Sequence, residues 1–421
     1  MTALPADGPL ADVRVLDLAT EMGVFAGRLL AELGADVIRI EPPGGDAVRE
    51  RSPLLEGVAA PSGSLYHEHF NAGKRGVTLD IHSPRGGALL CRLVETADVV
   101  LETFAPGEMD ALGLGFEALR EVNPDLLYTT ITPFGQQGPM RDYRASDLTG
   151  AASSGVMWLN GFPGDPPNQP GAEQAYHMAS LVAASTTLIA LLGRDRDGGG
   201  GHRIDISMQE AASMATLQHS SANSYTWLGN VPARRGLVGL NGGRSIFQCA
   251  DELWISFIVP PYRWDEFLQW LRDEAAEAPG SAGSPGSPEP TLFEEPWRDP
   301  AYRIAHAEQL AAVIGALASR YERSALWHEG QRRRLLLMPV NTVADIAEDE
   351  QLRERGFLDR FEHAASGRTL TDTGVAYSLS ATPAAVRRRA PQLGEHSDEV
   401  FAGLLALDEG EVEQLRIEGV L

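Results

Sequence analysis

The stretch QPGAEQAYHMASLVAASTTLIALLGR, residues 169–194, joins a loop to a long, almost wholly apolar helix whose first turn carries Glu173, Gln174, Tyr176 and His177. A carboxylate, a phenol and an imidazole at the start of a buried helix are the groups that nucleophilic or acid-base chemistry uses. The same pattern also fits a helix end that packs and bonds locally. NAGKRGVTLDI (71–81) reads as a turn presenting Lys74 and Arg75 ahead of a strand, and Lys74 is the single lysine of the chain. Two adjacent cations with the turn's own N–H groups fit a phosphate-bearing ligand; a solvated turn is the plainer reading. His67 and His69 form an H-x-H pair with no third ligand nearby in the sequence, so no metal site is assigned. GAASSGVM (150–157) lacks the glycines that frame a serine nucleophile, and small residues packing a helix onto a sheet is the favoured reading. Asp147 precedes that segment, at the head of the same helix, and reads as its cap rather than as a catalyst.

The elements that must hold these residues alternate. ADVRVLDL (11–18) reads as a strand, GVFAGRLLAEL (23–33) as a helix closed by Gly34, and ADVIRIE (35–41) as a second strand. Glu41 ends that strand where a ribose-binding acid would stand, yet DLATEMGVFAGR contains no G-x-G-x-x-G, which argues against a nicotinamide enzyme. Strands at 76–82, 98–104 and 125–135, a helix at 87–97 and a further strand at 202–208 continue the pattern toward an open, mainly parallel sheet. The glycines 198–201 read as a turn, because no G-K-[ST] follows.

From about residue 225 the texture changes to a smaller α+β domain, with a hairpin at 245–259 and an amphipathic helix at 264–275. A Pro/Gly/Ser-rich insertion at 276–290 is too poor in apolar residues to order itself. The expected division is 1–225 and 341–421 in a large domain and 226–340 in a small one. Asp408 and Glu411 have the spacing of a capping box on the last helix.

Composition narrows the functions. A formal charge of −23 opposes nucleic acid or anionic membrane as partners, so an anionic ligand needs a local basic patch. Two cysteines, Cys91 and Cys249, support neither a disulfide framework nor a thiolate metal site and read as core thiols. The N-terminus has no signal-peptide pattern and no segment reads as a bilayer span, from which a cytoplasmic location is expected.

LADVRVLDL, ADVIRIEPPGGD, FNAGKRGVTLD, DVVLETFAPGEMDALGLG, NPDLLYTTITPFGQQGP, SDLTGAASSG, IALLGRDRDGGGGHRIDISMQEA, MPVNTVADIAEDEQLRERGF and APQLGEHSDEV follow one another as in the family III CoA-transferases. The sequence resembles that superfamily, which also holds formyl-CoA transferase, carnitine CoA-transferases and α-methylacyl-CoA racemase, over nearly its whole length. The resemblance implies an α/β fold: a Rossmann-like large domain built from both chain ends, a smaller α+β domain, and two protomers interlocked like chain links. It implies a CoA thioester as substrate or ligand, a carboxylic acid as co-substrate, and no permanently bound cofactor or metal. It further implies an aspartate that attacks the thioester to form an anhydride, and the place of that aspartate falls on Tyr176. The racemase alternative fails as well, because its histidine's place is Ser146. Of the CoA contacts, an arginine place is Ala105 and a basic place is Thr132, whereas Ala72, Gly73, Lys74 and Arg75 fit the family's N-K-R turn. Thr20, Glu21, Met22 and Gly23 after the first strand are further candidate contacts.

Glu173 stands three positions before Tyr176, on nearly the same helical face but ~4.5 Å back along the axis, a large offset for an aligned covalent attack. Three readings follow. The chain is the aspartate-lacking subunit of a heteromeric CoA-transferase, partnered by an aspartate-bearing paralogue; or a self-sufficient homodimeric acyl-CoA enzyme using Glu173 or another residue; or a CoA-thioester binding protein without turnover.

Overall fold

The computed structural model describes residues 8–217, 222–234, 236, 244–277 and 290–421. Most of the proline- and glycine-rich insertion, and the first seven residues, lie outside them. The described chain forms two compact units, one of residues 1–158, 168–232 and 351–421, the other of 159–167 and 233–350. The boundaries therefore fall at 232 and 350 instead of 225 and 340, and a short segment around residue 160 joins the smaller unit.

The larger unit is built on six parallel strands: β1 (Arg14–Leu18), β2 (Asp36–Glu41), β3 (Arg75–Thr78), β4 (Val99–Glu102), β5 (Leu127–Thr132) and β6 (Arg203–Ser207), in the order β3-β2-β1-β4-β5-β6. Both faces of a parallel sheet are covered, so its strands read as continuous apolar runs whose alternate residues enter opposite cores. Leu16, Ile38, Ile40 and Val100 point into one core, which the C-terminal helices Ser397–Leu405 and Glu409–Ile417 complete with Val400, Phe401 and Leu415. Val15, Val37, Val99 and Leu101 enter the other, shared with helix α1 (Val24–Glu32) and the long helix. Asp408 and Glu411 cap Glu409–Ile417 reciprocally, at 2.9 Å each way.

Three further helices matter for the site: α2 (Leu65–Phe70), α3 (Pro84–Val94) and α4 (Asp147–Ser153). The long helix α5 (Gln174–Asp197) follows. Its segment 174–196 is long and apolar enough to span a bilayer, contrary to the sequence reading. Ala175, Ala179, Ala183, Ala184 and Leu191 instead enter the core shared with α1, because the small side chains let the helices approach closely. Gly198, Gly199 and Gly200 turn the chain toward β6 with φ of +83°, +111° and +107°, values that side chains other than glycine rarely adopt. At 150–157 no nucleophile elbow forms. The Ser153 and Ser154 hydroxyls donate to carbonyls three residues back, and Gly150 lets Met208 pack within 2.5 Å of where a Cβ would stand.

The smaller unit has an antiparallel sheet, β7 (Ile246–Gln248), β8 (Trp254–Ile258) and β9 (Leu336–Pro339) in that order, under helices Trp264–Glu277 and Ala307–Ala318. Phe257 stacks on Trp270, and Trp264 lies parallel to Trp297 at 6.3 Å. The larger unit carries one hairpin that the sequence pattern did not reveal, β10 (Leu358–Glu362) and β11 (Thr369–Thr373). Cys249 is buried and Cys91 half-buried; both are free thiols.

One position tests how closely this core is fitted. A Cβ on Gly27 would stand 2.3 Å from Asp17 Oδ2 and 3.0 Å from Lys74 Nζ. Gly27→Ala is therefore expected to destabilise the larger unit by about 1–3 kcal/mol despite alanine's better helix propensity, read as a lower urea midpoint.

Candidate active site at the switch point of the sheet

Strand order reverses between β1 and β4, and in open α/β sheets the crevice beyond the carboxyl ends of such strands is where ligands bind. The loops after these two strands are tied together. Thr20 N–H donates to Thr103 Oγ1 at 2.8 Å, and the two hydroxyls lie 2.9 Å apart. Gly23 closes the loop where a Cβ would come within 2.9 Å of Thr103, Ala19 and Ile131, so only glycine fits. The Ser180 hydroxyl donates to the Met22 carbonyl at 3.1 Å and fastens α5 to this loop. Tyr176 is one turn earlier on α5, on the same side of the helix.

Tyr176 is 6 % exposed, and burial, with the Glu21 carboxylate nearby, pushes its phenol up to about 12. It is neutral at physiological pH. Asp147 also meets α5 here. Its Oδ1 accepts from the N–H groups of Ala175 (2.8 Å) and Tyr176 (3.1 Å), so it caps α5 and not its own helix, as the sequence pattern had indicated. That helix has its own box: Ser146 N–H donates to Thr149 Oγ1 at 2.8 Å. Asp147 thus occupies, with its negative charge, the free N–H groups that make a helix start attractive to anions.

Glu173 precedes α5 instead of lying within it. Ala172 and Glu173 are consecutive left-handed residues, with φ of +62° and +51°, so the helical offset expected between Glu173 and Tyr176 does not apply. The Glu173 carboxylate is bound by Arg51, whose guanidinium also stands 3.6 Å from Glu21 and 4.7 Å above the Tyr66 ring. The Tyr66 phenol is raised by its burial and then by Glu173. Two acids, an arginine and two phenols thus gather around the start of α5. Arg51 and Tyr66 had no distinguishing sequence signal, Arg51 being one arginine among many.

His177 is turned from this cluster into an aromatic contact with Phe25 (5.6 Å) and Phe70 (5.5 Å); its Nε2 is buried without a hydrogen bond among the described residues, and burial lowers its pKa. The H-x-H pair lies on α2, not on an extended segment, and its rings diverge. His67 Nε2 meets the Pro391 carbonyl at 3.0 Å, while His69 Nδ1 meets Asp372 Oδ1 at 2.6 Å. No group of three His, Cys, Asp or Glu able to hold a metal occurs among the described residues.

The N-K-R turn is a correction. Lys74 is fully buried, and its three ammonium protons are committed to Asp17 Oδ2 (2.7 Å), the Val24 carbonyl (2.8 Å) and Asn71 Oδ1 (3.0 Å). Arg75 clamps Asp36 bidentately at 2.8 and 2.6 Å and reaches Glu399 at 2.8 Å. The Lys74 ammonium has no donor left for a phosphate, and the Arg75 guanidinium is already neutralised by two acids. Ala72 is buried beside them, and the Gly73 N–H is bonded to the Arg388 carbonyl. The turn supports the switch-point loop from inside, through Val24. Glu41 likewise holds Arg49 through both oxygens, at 2.7 Å each, and is not a free ribose-binding acid. Ala105 is exposed on the β4 side of the crevice, whereas Thr132 is fully buried, its hydroxyl without a partner among the described residues.

The sequence profile of CoA-transferase family III matches residues 10–397. The chain belongs to this family. Its members act on acyl-CoA thioesters and carboxylic acids, without a permanent cofactor. Subunit BbsE of the succinyl-CoA:(R)-benzylsuccinate CoA-transferase of Thauera aromatica is 33% identical over 396 residues, covering 92% of each chain. Succinyl-CoA–D-citramalate CoA-transferase of Chloroflexus aurantiacus is 32% identical, over 98% of each chain. Among solved structures, a CAIB/BAIF family protein from Brucella suis superposes with a TM-score of 0.80 at 26% identity, covering 94% of this chain and 100% of that one.

Proposed function

We propose that this chain is the non-nucleophilic subunit of a heteromeric family III CoA-transferase, working with an aspartate-bearing paralogue. The observation that carries the reading is the neutral, buried Tyr176 where the family's resemblance places its carboxylate. In the transferase reaction a carboxylate oxygen bonds to the thioester carbonyl carbon, the C–S bond breaks, and CoA leaves as the thiolate. The CoA thiolate then attacks the enzyme's own carbonyl of the resulting anhydride, releasing the first acid and leaving an enzyme-bound thioester, from which the second acid takes the CoA. A phenol cannot form that anhydride. Two relatives are named as subunits: BbsE, and the beta subunit of a succinyl-CoA–L-malate CoA-transferase of Chloroflexus aurantiacus, 29% identical.

Glu173 is the alternative nucleophile, and its engagement by Arg51 disfavours it. Asp147, on the N–H groups of Ala175 and Tyr176, and Ser180, on Met22, give this chain a rigid switch point whose role is to complete the partner's acyl pocket and stabilise the assembly. The test is to purify the chain alone and together with its aspartate-bearing paralogue, and to follow CoA exchange between succinyl-CoA and a series of acids. Exchange only in the mixture supports the reading; exchange by the chain alone overturns it.

A further inference from the structure

We propose that a cavity beside α2 and the β10–β11 hairpin, outside the switch point, binds a small monocarboxylate with a short apolar body, using Arg388 and the Glu68 carboxyl as its polar contacts. The cavity measures about 180 Å³ and is walled by Ala72, Phe361, Val386 and Ala390 on its apolar side, with Glu68 and Arg388 in its lining. That is far more than the ~10–15 Å³ one water needs.

Glu68 is 4 % exposed, and its Oε2 is buried with no hydrogen-bond partner among the described residues. Its Oε1 lies 3.5 Å from His363 Nε2, but that nitrogen sits 3.0 Å from the Ser62 carbonyl, which can only accept. The ring proton is thereby committed, and Ser366 Oγ meets Nδ1 at 2.9 Å. Burial pushes Glu68 up to about 7. Arg389 and Arg49 pull it down, while Asp372 and Glu395 push it up. Near neutral pH much of it is therefore an acid with an O–H to donate.

The arginine run supplies the opposite charge. Arg389 is paired with Glu395 at 2.5 Å, and Arg387 donates to the carbonyls of Glu32, Ala385 and Pro383. Arg388 is exposed; its carbonyl holds Gly73, and its guanidinium has no hydrogen bond or ion pair among the described residues. A guanidinium and a protonated carboxyl are both donors to a carboxylate oxygen. Asp359 and Asp372 in the lining repel a dianion such as phosphate, and three guanidinium groups repel a cation. A singly charged acid with a small apolar body satisfies both ends and the walls.

Butyrate titrated calorimetrically into the purified full-length chain tests this. Binding is expected at pH 6, weakening about tenfold by pH 8 as Glu68 loses its proton. Arg388→Ala, at an exposed position where the fold does not depend on it, is expected to weaken binding at least tenfold. Glu68→Gln keeps a donor and is expected to bind with the pH dependence gone. A stability readout accompanies this. Because the folded pKa of Glu68 lies above its unfolded value of about 4.3, its contribution is present below that value and is lost as pH rises through 7. The melting-temperature advantage of Glu68→Gln over the native chain should therefore grow between pH 4.5 and 7. No butyrate binding at ~10 mM and pH 6, or binding indifferent to Arg388→Ala, overturns the proposal. The second outcome would place the acid elsewhere, including the switch point.

Discussion

Replacing Lys74 with methionine should destabilise the larger unit by about 3–5 kcal/mol, the usual cost of removing one partner from a buried ion pair. Asp17, fully buried, would keep Arg39 at 3.3 Å and the Ala19 N–H at 2.9 Å, but would lose its 2.7 Å ammonium contact. The carbonyl of Val24 and the amide oxygen of Asn71 would also lose their donor. Calorimetry should show the larger unit's transition falling by about 5 °C or more. Were Lys74 a ligand contact, the same substitution would leave the transition in place and weaken CoA-thioester binding alone. The two outcomes are separable in one preparation, by melting and by thioester titration. Burial lowers the Lys74 pKa to about 8, below its unfolded value of about 10.4. The unfolded chain therefore binds more protons between those values, and this residue's share of stability rises with pH across that window.

On the proposed reading of this chain as the non-nucleophilic subunit, removing the nucleophilic aspartate of the paralogue with which it is paired should cost roughly 10⁶-fold in turnover, the scale on which covalent catalysts fail without their nucleophile. Tyr176→Phe and Glu173→Gln in this chain should each stay within about threefold of the native rate. The phenol is neutral at physiological pH, and the proposed role takes no proton from it. Glu173 already spends its charge on Arg51, one charge in a partly exposed cluster with Glu21. Rates of CoA exchange under saturating thioester and acid measure this directly. A large loss on Glu173→Gln, with the chain active alone, would make Glu173 the nucleophile and the chain self-sufficient.

Much of the fold was legible because its signals are local. The strands at 11–18, 35–41, 98–104 and 125–135 appear as β1, β2, β4 and β5 within a few residues, since continuous apolar runs bounded by Gly, Asp and Pro mark buried parallel strands. The β10–β11 hairpin was not legible. LDRFE and TLTDT are polar and half-exposed, and nothing in their alternation separates them from loop. The site was half legible. Thr20, Glu21, Met22, Gly23, Glu173 and Tyr176 do converge, but Arg51 and Tyr66 join them from a segment with no periodic pattern.

By itself the sequence determined the family, the alternating α/β plan and the absence of a carboxylate at position 176. Each of these depends on residue types and short spacings that survive without knowing any distance. Only the tertiary structure decided what the charged residues do. Lys74 reads from its neighbours as a surface cation, yet it is sealed by Asp17, 57 positions away. Asp147 reads as the cap of its own helix and caps one that begins 27 residues later. Glu68 reads as an ordinary helical acid, yet its Oε2 is buried with no hydrogen-bond partner among the described residues, beside a hairpin some 290 positions on. The reason is physical: apolar burial is set by periodicity within one element, whereas a buried charge is defined by which distant group reaches it.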